Sequence, residues 1–149
     1  MQDKHLYEYA VIRVVPRVER EEFLNIGVVL YCARPRFLQA LFVLDESRLG
    51  VFSGRADLRQ PDASLQRPHR AQPDLPQLDL RQLAEYLLAF ERICRGDPDG
   101  GPISRLPPAE RFRWLTAARS TVLQTSRVHP GLCTDPGETL AGLYNQLVL

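Results

Sequence analysis

Apolar and polar positions fall into three strand-like runs near the start of the chain and, toward its end, three helical segments with one further strand-like run. Tyr7 to Val15 is rich in β-branched and aromatic residues with apolar side chains on both alternating faces, which predicts a strand inside a sheet. Pro16 ends that ladder and Arg17 to Glu22 forms a charged connection. Phe23 to Cys32 reads as a second strand, with Leu24, Ile26, Val28, Leu30 and Cys32 uniformly apolar, so this even face is expected to meet the helices. Phe37 to Leu44 predicts a third strand, joined through the four residues Ala33 to Arg36 as an antiparallel hairpin.

Beyond these strands, a polar stretch over about 59–78 carries Pro61, Pro68, Pro73 and Pro76 and predicts an exposed loop, since proline at that density excludes a regular helix. Leu80 to Arg95 places Leu80, Leu83, Ala84, Leu87, Leu88 and Ile93 at helical spacing, and Gly96 with Asp97-Pro98 ends the segment. A second helix is expected to begin near Pro108 and to carry Phe112, Trp114 and Leu115, then a fourth strand over Ser120 to Val128. Asp135 followed by Pro136 predicts an N-cap and first helical turn, with Leu140, Leu143, Tyr144 and Leu147 on one face. The expected fold is therefore α+β, an antiparallel sheet of about four strands with two to three helices packed mainly on one face.

Composition narrows the class. With 149 residues the chain is long enough for one domain with a single core, so residues 1–149 are expected to form one unit. An apolar fraction of 44% with 25% charged residues matches an ordinary globular protein. No apolar run reaches the roughly 20 residues a helix needs to cross a bilayer, and the N-terminal residues lack a signal-peptide pattern, so a cytoplasmic protein without membrane contact is expected. Cys32, Cys94 and Cys133 are odd in number and widely separated, which fits free thiols in a reducing compartment. The formal charge of +1 gives no global attraction to nucleic acid. Five arginines between Arg105 and Val128, with Phe112 and Trp114, leave nucleic-acid contact as a lesser alternative.

The motifs then become specific. Tyr9-Ala10-Val11-Ile12-Arg13-Val14-Val15-Pro16, followed by Glu22-Phe23-Leu24-Asn25-Ile26-Gly27-Val28-Val29-Leu30, resembles the bacterial domain-of-unknown-function family 3037. Glu110 to Leu115, Arg119-Ser120, Gln124 and His129-Pro130-Gly131 before Asp135-Pro136 resemble the second block of that family. One departure is Glu21, where the family tends to have glycine before the Glu-Phe pair. The resemblance implies no activity, since none is assigned to the family. It implies a partner role through members that sit beside HipA-like kinases in their genomes.

Candidate chemistry rests on a polar set: Arg13, Glu22, Asn25, Glu110, Arg111, Ser120 and His129. A charge in the middle of the apolar first strand needs a partner, and Glu22 or Glu110 would supply a structural salt bridge, with ligand contact as the other reading. Asn25 beside Gly27 suggests either a small binding surface or a bulge where another element crosses closely. Ser120 and His129 lack a nucleophile elbow, and Glu110 is explained by its place in a first helical turn. His5, His69 and His129 lack metal-helix spacing and no phosphate-cradling glycine loop is present, so no metal and no cofactor are expected. The expected function is a binding or regulatory module docking on a protein partner or a second copy, the HipA-like kinase being the example the resemblance offers. The alternative is an enzyme or binder for a phosphate-containing ligand or nucleic acid, which requires the polar set to converge.

Overall fold

Strand β1, His5–Val14, is the centre of the sheet in the computed structural model, which describes residues 4–15, 23–44, 80–117 and 121–149. It pairs antiparallel along one edge with β2, Leu24–Cys32, and β2 pairs in turn with β3, Phe37–Phe42. The β2–β3 hairpin turns through 33–36, closed by the Arg36 amide on the Ala33 carbonyl at 3.0 Å, with Arg36 at φ 55°. The expected charged connection at 17–22 and proline-rich stretch at 59–78 lie outside the described residues.

Along its other edge β1 meets two short strands in line, β4, Leu123–Thr125, and β5, His129–Cys133. The fourth strand expected over 120–128 is realised only as the three residues of β4, and β5 follows at 129–133, outside that range, so the sheet has five strands among the described residues. The break between them falls at Ser126. Ser126, buried between them, takes the Val11 amide on its Oγ at 2.9 Å while its own amide donates to the Val11 carbonyl at 2.8 Å. A serine side chain so replaces one rung of the ladder and satisfies buried backbone that would otherwise lack a partner.

Helix α1, Leu80–Arg95, and helix α2, Pro108–Leu115, cover one face; α3, Pro136–Leu147, covers the other. Ala10, Ile12 and Val14 of β1 pack with Leu83, Leu87, Phe112 and Leu115 on the first face. Each such fully buried leucine contributes about 1.5–3 kcal/mol by leaving water. Val28, Leu30, Cys32 and Cys133 pack with Leu140 and Val148 on the second face. The α3 N-terminus forms as expected, with Asp135 accepting from the Gly137 and Glu138 amides and Pro136 opening the helix.

The expectation that every even residue of β2 meets the same helices does not hold, because β2 bulges at Ile26. Arg13 pairs with Asn25 and Ile12 with Gly27, which leaves Ile26 as the extra residue and reverses the facing on either side of it. Ile26 therefore joins the α1 core while Val28, Leu30 and Cys32 join the α3 core.

Candidate functional site

The bulge decides what surrounds Arg13. Arg13 and Asn25 are cross-strand partners on the face toward α3, and Gln124 flanks Arg13 from β4. Gly27 points to the opposite face, so the expected side-by-side surface of Asn25 and Gly27 does not form. A Cβ at Gly27 would sit 2.5 Å from the Leu41 carbonyl oxygen and 2.7 Å from the Phe42 Cβ. The bulge falls one residue earlier, at Ile26, and the close approach at Gly27 comes from its ladder partner β3 rather than from an element crossing the sheet.

Asn25 Nδ2 donates to the Leu147 carbonyl at 3.2 Å, tying β2 to the end of α3. Among the described residues its buried Oδ1 meets no hydrogen-bond partner, and neither does the buried Nε of Arg13. The Arg13 guanidinium stacks on the Phe23 ring, 4.1 Å from its centre. Among the described residues Arg13 has no ion pair, which corrects the expected bridge to Glu110. The reason is topological: Glu110 is exposed on α2, which packs on the other face of the sheet.

Arg111 performs the architectural role expected of Arg13. Its Nη1 donates to the Ile93 and Cys94 carbonyls, each at 2.8 Å, and its Nε to the Leu106 carbonyl at 2.8 Å. A cation so closes the C-terminal end of α1, where free carbonyls carry partial negative charge. Gly96, at φ 68°, lets the chain leave α1 against that guanidinium through paired bonds from the Gly96 amide to Ile93 and the Asp97 amide to Arg92.

His129 shares the α3 face with Arg13 but lies opposite Tyr9, four residues along β1, or about 13 Å of strand. Its ring lies tilted against Tyr9 at 5.2 Å between centres, and Tyr9 neighbours Tyr7 at 6.2 Å. Tyr7 lies over Gly131, where a Cβ would fall 2.4 Å from its ring. Burial, with Tyr9 and Cys133 beside it, pushes the Tyr7 phenol above its ordinary value. A half-buried strip of Tyr7, Tyr9 and His129 thus leads along β1 toward Arg13 and the exposed ring of Phe23.

The polar set accordingly separates. Arg13, Asn25 and His129 share one face, Glu110 and Arg111 belong to α2 on the other, and Glu22 and Ser120 lie outside the described residues. Tyr7, Tyr9 and Phe23 were missed as members of the strip. Simple alternation from Arg13 through Val11 to Tyr9 and Tyr7 marks the first two as its face-mates. Phe112, weighed with Trp114 as a stacking platform, is core, while Trp114 is exposed.

These features define an α+β domain in which an antiparallel sheet is held between helices and carries on one face an arginine that has no ion pair among the described residues. A family model described as "Protein of unknown function (DUF3037)" matches residues 9–148, and the chain belongs to that family. No curated protein and no solved structure matches the chain. No described helix is long and apolar enough to cross a membrane.

Proposed function

We propose that this chain is a binding module that docks on a protein partner through the α3 face of β1, with Arg13 receiving a carboxylate of that partner. The unpaired Nε of Arg13 carries the reading. An unmet donor on a cation at the edge of the core costs about 1–3 kcal/mol, and a two-oxygen anion arriving from outside would recover it with charge-assisted bonds. The free Asn25 Oδ1 beside it favours a partner that brings a donor next to its carboxylate, as a peptide segment does with its N–H groups. Tyr7, Tyr9 and His129 would give such a segment an amphipathic track.

The test compares capture from the native host by wild-type bait and by Arg13→Gln bait, with a purified HipA-like kinase offered to both as one candidate prey. A protein bound by wild type and lost with Arg13→Gln, both baits melting alike, is the expected result. Equal capture by both would sink the proposal. A thermal shift with inorganic phosphate that vanishes in Arg13→Gln, without any protein captured, would favour the phosphate-ligand reading instead.

A further inference from the structure

On the opposite face, the end of β1 nearest the hairpin is not covered by α1 or α2. Leu6 is 63% exposed and its cross-strand partner on β5, Leu132, is 64% exposed, so two leucines stand side by side in water. They floor a shallow groove of about 370 Å³ that Lys4, Glu8, Tyr31 and Arg34 also line. Isolated exposed leucines are ordinary, but a cross-strand pair on a bare sheet face marks a contact surface.

The charges on this face are ordered. Lys4, just before β1, and Leu6 and Glu8 within it occupy alternate positions, so the face reads cation, leucine, carboxylate at intervals of about 7 Å. Arg34 adds a second cation at the Lys4 end, because the hairpin turn lies beside the start of β1. Lys4 and Glu8 are not joined to each other by an ion pair.

That order is self-complementary. Consider a two-fold axis lying between two such faces, perpendicular to β1 and passing over Leu6 and Leu132. It sets Leu6 against Leu6 and Leu132 against Leu132 of a second copy, while Lys4 meets Glu8 and Glu8 meets Lys4. An isologous interface requires this reciprocity, residue i on j and j on i. A partner of uniform charge would match only one end of the groove. We propose that the Lys4–Leu6–Glu8 face of β1, with Leu132 of β5, is an interface between two copies of this chain packed sheet on sheet. It lies on the opposite face from Arg13 and does not depend on the docking role proposed for that residue.

Lys4 is the only lysine of the chain, which makes the test specific. In sedimentation equilibrium the wild type should show a monomer–dimer exchange. Lys4→Glu and Glu8→Lys, each of which opposes like charges at both ends, should weaken it roughly tenfold or more. Mixing these two variants should restore dimer, and so should combining both changes in one chain. Leu6→Glu, at an exposed position, should abolish association with an unchanged melting temperature. Carbodiimide coupling of the wild type should yield a covalent dimer whose digest joins Lys4 to Glu8. A wild type that stays monomeric up to roughly 1 mM would overturn the proposal. Dimerisation that survives Leu6→Glu, or that Lys4→Glu and Glu8→Lys fail to regain on mixing, would overturn it equally.

Discussion

Arg13 and Asn25 face one another across β1 and β2, each holding a buried polar atom, a guanidinium Nε and an amide Oδ1, that meets no hydrogen-bond partner. Structural arginines in this chain look different. Arg111 donates from Nε and Nη1 to three carbonyls. Arg13→Met keeps the stem that packs along the strand and removes the unmet donor. Its stability in urea should lie within about 1 kcal/mol of wild type or above it. A loss beyond about 3 kcal/mol would show that Arg13 is an architectural residue after all.

Arg111→Ala removes three bonds to carbonyls at once and uncaps α1. We expect a loss of about 2–4 kcal/mol in urea denaturation, with α1 amides exchanging faster than those of β1 and β2. Arg111→Lys should recover only part of this, since one ammonium cannot span the Ile93, Cys94 and Leu106 carbonyls in the fixed fork of a guanidinium. Full recovery with lysine would mean that charge at the helix end, not the bond geometry, is what matters.

The difference between these two arginines explains how much could be read in advance. Leu80–Arg95, Pro108–Leu115 and Pro136–Leu147 announce themselves through local chemistry: helical spacing, Gly96, Pro108 and the Asp135-Pro136 cap. The hairpin at 33–36 is local as well. The bulge at Ile26 and the rung supplied by Ser126 are long-range events, set by where β1 lies, and neither leaves a pattern in its own segment. Once the bulge reverses Asn25, the composition of the site changes, and Arg13 is left facing Phe23 and Asn25 rather than a carboxylate on α2.

Two glycines separate backbone collisions from side-chain collisions. Gly27→Ala drives a methyl into the Leu41 carbonyl and Phe42 Cβ, so β3 itself must move, and a loss of about 2–4 kcal/mol is expected. Gly131→Ala meets the Tyr7 ring first, a side chain rather than backbone. The ring can swing away, so about 1 kcal/mol is expected, with a change in the near-ultraviolet tyrosine signal. Equal destabilisation by the two would mean that the Tyr7 ring is as fixed as the β3 backbone.

Alkaline pH should find the buried thiols. Burial pushes Cys94 from 9.0 up to about 12, and Cys32 from 9.0 to about 11, where Cys133 beside it adds to the effect. Between these limits the folded chain keeps thiol protons that the unfolded chain has released. Folding then binds more protons than unfolding, and stability falls as pH rises. The neutral thiols therefore favour the folded state fully below about pH 9, and this contribution is lost progressively as pH climbs toward 11 and 12. Cys94→Ala should lower stability at pH 7 by about 1 kcal/mol, through lost packing, and flatten the decline above pH 9. An unchanged alkaline slope in Cys94→Ala would place the proton release on other groups.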